Sequence, residues 1–225
     1  MELYDVMHTT FSARQFTDDP LPDAILYTIL DNARFAPSGG NRQGWRVIVV
    51  RDGTTREALA ALSAPAAKRY AAQLHAGEQP WNTIDPTAVD ATTIERTPAP
   101  ARLTEPFVQA AVVLVVCVDL TVVASIDQDL ERIGVISGAS IYPFAWNILL
   151  AARHEGYGGT ITTLAVAQEP QLQKLLGLPP HVAVGAIMPL GKPLTQLTKL
   201  RRQAVPEFAM HERWGGEPLT AQSRD

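Results

Sequence analysis

The 225 residues are 46% hydrophobic, enough to bury a substantial core in one large domain or two small ones. Charged residues make up 19% and the net charge is −4, which excludes the basic surface that nucleic acid phosphates or anionic lipid headgroups would select. The single cysteine, Cys117, excludes an internal disulfide framework. The first residues, MELYDVMHTTFSARQF, lack a basic region followed by an apolar stretch, so no secretory signal is expected. The apolar run Ala110–Val118 is about half the ~20 residues a membrane-spanning helix needs. The expectation is a soluble, cytoplasmic protein without nucleic acid or membrane partners.

In chain order, Met1–His8 is a short amphipathic segment, followed by a polar loop with Ser12 and Arg14. Pro22 opens a helix with Asp23 in its first turn, where a carboxylate suits the helix dipole. Ile25, Leu26, Ile29, Leu30 and Ala33 recur at helical spacing, and Pro37 ends the pattern. The loop Pro37–Gly44 holds three glycines and leads into a strand over Trp45–Val50. An alanine-rich helix follows from about Thr54 to Gln73.

Residues 75–106 carry five prolines and little periodicity, which predicts a long excursion from the core. A loop of that length is uncommon in a compact domain unless it is functional. Ala110–Asp119 is nearly continuous in β-branched residues and suits a strand buried on both faces. Ile133 to about His154 reads as one long helix, apolar almost all round, which places it at the centre or against a second subunit. Gly156–Leu164 is a turn and short strand, Pro170–Leu178 a short helix, and His181–Met188 a further buried strand. An arm over Thr195–Trp214 carries Lys199, Arg201 and Arg202, and residues 215–225 are expected to be a disordered tail.

Several chemistries find no support. There is no GxSxG elbow, P-loop or GxGxxG turn after a strand. The five histidines are scattered without metal-ligand spacing. A chain without nucleophile, metal site or carboxylate pair, yet with polar glycine-rich loops, suits chemistry carried by a cofactor.

Four segments, in order and at the expected spacing, resemble the nitroreductase-type flavoproteins, the likeness spanning about Tyr4 to Trp214. Thr10–Phe16 is similar to the family's Arg-Arg-Ser-x-Arg cluster, which binds the FMN phosphate and ribityl chain. Ser12 and Arg14 match it, while Thr10 and Phe11 replace the two leading arginines. Ala36–Trp45 resembles an AP-S-x-x-N-x-Q-x-W loop that contacts the flavin ring from the other subunit, which points to Ser38, Gly40, Asn41 and Gln43. Gly156–Thr163 resembles the strand whose amides face flavin N5, with Thr162 and Thr163 similar to a subgroup that includes iodotyrosine deiodinases. Lys199–Arg202 resembles a C-terminal basic group that closes on the phosphate, with Arg202 and then Arg201 aligning best.

The resemblance implies an α+β, nitroreductase-like fold with a central, mostly antiparallel sheet surrounded by helices. It implies a single domain over 1–214 with a lid-like excursion at 75–106, in an intertwined homodimer with two flavin sites at the interface. The implied activity is FMN-dependent, ping-pong transfer of electrons from NADH or NADPH to a small electron-poor acceptor, such as a nitroaromatic or quinone. No catalytic side chain is assigned, because the flavin carries the chemistry. The alternatives are an enone or halogenated acceptor, a deazaflavin donor, or a protein that sequesters flavin without turnover.

Overall fold

The computed structural model describes residues 1–221. Four strands form one antiparallel sheet in the order β1-β2-β4-β3: β1 Trp45–Val50, β2 Val112–Asp119, β3 Gly158–Gly159 and β4 Val182–Gly191. β2 lies inside the sheet and its side chains alternate between faces. Val112, Leu114, Val116 and Val118 join one core cluster, and Val113, Val115 and Cys117 join the other. Both faces are covered, so the unbroken apolar run expected of a doubly buried strand is what β2 contains.

The first face is covered by helices α2 (Asp23–Ala33) and α6 (Tyr142–His154), through Leu26, Ile29, Phe144, Ile148 and Leu149. Trp45 stacks on Phe144 there, with ring centroids 4.8 Å apart. The second face is covered by α3 (Gly53–His75), α5 (Ala101–Gln109) and α7 (Glu169–Leu176), through Leu59, Phe107 and Leu172. Full burial of side chains such as Ile148 or Leu59 contributes roughly 1.5–3 kcal/mol each. The remaining helices are α1 (Leu3–Thr9), α4 (Ala91–Arg96) and α8 (Val205–Phe208).

Local signals explain the boundaries. Asp52 caps α3 by accepting a hydrogen bond from the Thr55 amide at 2.8 Å. Gly177 closes α7 at φ +65°, a left-handed conformation that costs glycine little.

Two expectations are corrected. Ile133–His154 is not one helix: Ile136–Ser140 forms a 3-10 turn and α6 begins only at Tyr142. Pro143 is the cause, since it has no N–H for the carbonyl four residues back and its ring would clash with that carbonyl. Gly134 and Gly138 weaken a helix further upstream. In a single chain α6 also leaves Tyr142 44% and Trp146 40% exposed.

The excursion at 75–106 is partly helical, containing α4 and the first turns of α5. Asp90 caps α4 through the Thr93 amide at 2.9 Å. The segment folds back on α3: Glu95 pairs with Lys68 at 2.8 Å, and the Glu78 carboxylate accepts from the Ala88 amide at 2.7 Å and the Thr87 hydroxyl at 2.6 Å. Near the C-terminus, the His211 amide donates to the Glu217 carbonyl at 2.9 Å and Met210 bridges Pro218. Part of the tail expected at 215–225, residues 222–225, lies outside the described residues. Among the described residues no helix is long and apolar enough to cross a membrane.

Candidate functional site

A cleft of about 630 Å³ opens beside the β3 edge of the sheet. The segment Thr160–Leu164, which runs on from β3 into a 3-10 turn, and Pro189 of β4 line it on one side, with Arg14. Ala66 and Tyr70 of α3, and Arg102, Leu103, Pro106 and Phe107 of α5, line the other. Pro80 and Trp81 complete the wall.

Sheet geometry determines which groups of the strand face the cleft. The Thr160 amide donates to Pro189 at 3.4 Å, and Thr162 exchanges both backbone bonds with Ile187 at 2.9 and 2.8 Å. Because the Thr162 carbonyl faces Ile187, the Thr163 amide of the same trans peptide points away from β4, and neither it nor the Ile161 amide makes a backbone bond among the described residues. Gly159 sits where no side chain fits: a Cβ there would lie 2.3 Å from the Pro189 carbonyl oxygen. Its carbonyl accepts from the Ala13 amide at 2.9 Å, and Ser12 bridges it in parallel. Ala13 is buried by that junction, and the next residue, Arg14, turns into the cleft.

The electrostatics of the cleft are one-sided. Its lining includes two arginines, Arg14 and Arg102, and no carboxylate, histidine or thiol. Burial pushes the Arg14 guanidinium below its ordinary range, and the charge of Arg102 adds to the effect. Arg14 donates at 3.3 Å to the Ser12 carbonyl and has no ion pair among the described residues. Two like charges converging on one cavity are held apart from any carboxylate, an arrangement that favours an anionic ligand. Cys117 is buried in β2 with its thiol pushed up to about 11, so it is no nucleophile. Among the described residues no group of three or more His, Cys, Asp or Glu could hold a metal ion.

The residues expected from sequence fall into three places. Arg14, Thr162 and Thr163 line the cleft, and Ser12 is at its edge. Ser38, Gly40, Asn41 and Gln43 form a separate exposed loop, built on a 3-10 turn with Gly40, Asn41 and Gln43 at φ +60°, +54° and +49°. The Ser38 hydroxyl accepts from the Gln43 amide at 2.9 Å, and the Gly39 amide donates to Ser140 Oγ at 3.0 Å. Arg201 and Arg202 lie exposed on the arm outside the cleft lining, with the Arg202 guanidinium donating to the Arg201 carbonyl at 2.7 Å.

Topology keeps the loop from the cleft. The loop leads into β1, one edge strand, and Trp45 pairs across β2 with the early part of β4. The cleft lies beside β3, the other edge, which pairs with the end of β4 at Leu190 and Gly191. Loop and cleft therefore occupy diagonally opposite corners of one sheet.

Thr10, one of the two residues that replace the leading arginines, is buried. It is 4% exposed and gives its hydroxyl to the Val6 carbonyl at 2.7 Å, so it closes α1 rather than offering a donor to a ligand. Sequence reasoning also missed Arg102 and Tyr70. Leu103, Pro106 and Phe107 recur at helical spacing, a short signal that would have put Arg102 on the same face, one turn from Pro106.

The model of the nitroreductase family matches residues 8–192. An NADH dehydrogenase of Thermus thermophilus is 30% identical over 190 residues, covering 81% of this chain and 82% of that protein. Among solved structures, iodotyrosine deiodinase bound to FMN and 3-iodo-L-tyrosine superposes with a TM-score of 0.64 at 21% identity, over 95% of this chain and 100% of that one. The NADPH:FMN oxidoreductase of Vibrio harveyi complexed with NAD+ does so with a TM-score of 0.64 at 23% identity, over 94% and 78%. These two likenesses concern the fold alone.

Proposed function

The chain belongs to the nitroreductase family, and from that premise we propose that it binds FMN in the cleft at the β3 edge and passes electrons from NADH or NADPH to a small electron-poor acceptor by a ping-pong route. The observation that carries this reading is the lining: a cavity without carboxylates that Arg14 enters beside the segment Thr160–Leu164, where Thr162 exchanges both backbone bonds with Ile187 and the neighbouring amides make none among the described residues. Those features suit a planar heterocycle with hydrogen-bond acceptors and a phosphate.

FMN, when bound, supplies the hydride and electron transfer between nicotinamide and acceptor. The protein's part is to hold, orient and exclude. Arg14 offers a charged fork to the phosphate or to the electron-rich end of the ring. Outward amides on the β3 side donate to ring acceptors at no cost in side-chain ordering, and Thr162 and Thr163 flank them. Ser12 lies at the same edge. Trp81, Pro80 and Pro106 form a wall that would limit water around a bound flavin and leave the rest of the cleft to donor and acceptor in turn.

The diagonal separation of loop and cleft supports a homodimer. Ser38, Gly40, Asn41 and Gln43 reach a flavin only from a second copy, and Arg201 and Arg202 supply further charge from the arm. Exposed Leu3, Tyr4, Tyr27, Phe35, Tyr142 and Trp146 supply apolar surface for such an interface.

The test is the absorption spectrum of purified protein with and without added FMN, followed by anaerobic reduction with each nicotinamide. Flavin bleaching by NADH or NADPH and its recovery on adding a quinone are expected. Protein that neither binds FMN nor passes electrons onward rules the proposal out.

A further inference from the structure

We infer that Arg102 makes the cleft selective for acceptors in which a planar ring carries an anionic group such as a carboxylate. This rests on the flavin reading above, which it deepens by naming the class of acceptor. Arg14 and Arg102 approach the cavity from different walls: one beside the strand edge, the other from α5 on the 75–106 excursion. The flavin-like segments all lie outside that excursion, so Arg102 belongs to the acceptor side of the cleft.

Arg102 is itself exposed, at the rim of the cleft, and its neighbours in the lining are apolar or aromatic. The Arg102 side chain makes no hydrogen bond or ion pair among the described residues, although Glu105 is one turn away on its own helix. Around it the cleft is apolar and aromatic, with Trp81, Tyr70, Leu103 and Pro106. In a protein of net charge −4, a cavity bearing two arginines and no carboxylate draws anions against the overall field. With one phosphate at Arg14, the second arginine of the lining is left without an anion, beside Trp81 and Tyr70. An aromatic carboxylate fills both parts, its ring against Trp81 or Tyr70 and its charge on the Arg102 fork.

Trp81 gives that wall its rigidity. Its backbone sits at φ +57°, a conformation bulky residues rarely adopt, and its amide donates to the buried Gln73 side chain at 3.2 Å. Such strain persists only where neighbours over-determine it, and it is characteristic of ligand-facing segments.

The test compares 4-nitrobenzoate with 4-nitrobenzamide, acceptors of similar shape and different charge, in FMN-loaded wild type, Arg102→Ala and Arg102→Lys. The expected result is that kcat/KM for the benzoate relative to the benzamide falls at least about tenfold in Arg102→Ala, mainly through KM. Lysine restores part of it, and the wild-type preference shrinks as salt rises to about 0.5 M. FMN affinity, measured by fluorescence titration, shifts less than about twofold, well below one charge-assisted contact. An unchanged ratio overturns the inference. So does FMN loss in Arg102→Ala, which makes Arg102 a cofactor ligand, or an effect confined to NADPH over NADH, which places the anion on the donor. Protein that takes up no FMN or reduces neither acceptor overturns the oxidoreductase reading and this inference together. Equal use of both acceptors by wild type overturns this inference alone.

Discussion

The Arg69 guanidinium lies 4.2 Å above the centroid of the Trp81 ring. A cation over an indole face contributes about 0.5–1 kcal/mol at a partly exposed site, enough to bias the wall of the cleft toward one position. Arg69→Ala is therefore expected to leave melting temperature within about 4 °C of wild type, while limited proteolysis cuts 78–88 faster. Trp81→Ala removes the wall itself and should change the relative kcat/KM of bulky and small acceptors, with FMN retained. Flavin lost before acceptor selectivity changes would mean that the segment holds the cofactor.

Thr10 stands where the family's first arginine would bring charge, yet it faces the interior. Thr10→Arg is thus expected to destabilise the fold and not to tighten FMN. Burying a guanidinium without a partner costs roughly 3 kcal/mol or more. Thr10→Ser keeps the bond to the Val6 carbonyl and should be close to neutral. Thermal melts of both variants, with FMN titrations of whichever folds, decide the matter, and a stable, tighter-binding Thr10→Arg would refute the assignment.

The extent to which sequence revealed the structure follows from the range of the signals. β2 was legible because its unbroken apolar composition reports burial on both faces, β1 because its β-branched run favours a strand although only Trp45 and Val50 are buried, and the loop Ser38–Gln43 because its glycines and polar side chains are nearly contiguous. Helix α6 was overextended because apolar composition says nothing about where Pro143 denies a turn its hydrogen bond. Arg102 was invisible for another reason: a short helix among prolines has too few turns for periodicity to register. The distance between loop and cleft is a property of strand order, and no local pattern encodes it.

Asp127 is 4% exposed at its side chain and ties together the segment that precedes α6. It accepts from the Val135 amide and Arg132, at 2.7 and 2.8 Å, and these bonds hold its carboxyl down to about 2. A depressed acid stabilises the fold above its unfolded value of about 3.9 and loses that contribution as pH falls through its folded value. Asp127→Asn should therefore melt lower than wild type at pH 7, and the gap should narrow between about pH 4 and 2. The same segment leads to Ser140, which accepts from the Gly39 amide, so the variant should also loosen the loop around Asn41. A gap in unfolding free energy that stays constant across that window would show that the charge of Asp127 is not what the fold uses.

The FMN phosphate bears up to two negative charges, and few cations of this chain are placed to balance them. Thr10 and Phe11 contribute none, and Thr10 is closed off by its own helix. Of the two arginines that line the cleft, Arg14 is the one beside β3, and its half-buried position strengthens each contact it makes. Arg201 and Arg202 are on an exposed arm, where the Arg202 guanidinium donates to the Arg201 carbonyl, and under the proposed function this arm adds charge toward the phosphate. A charge-assisted contact is worth roughly 1.5–3 kcal/mol, so its removal weakens binding about ten- to a hundredfold. Arg14→Ala and Arg202→Ala are expected to be the two most damaging single changes, with Lys199→Ala milder. Their combination should be close to additive in free energy if the two arginines reach different oxygens, and less than additive if they share one. FMN titrations of the apo forms at fixed salt measure this directly. Affinity close to wild type in both arginine variants would mean that the phosphate lies elsewhere in the cleft.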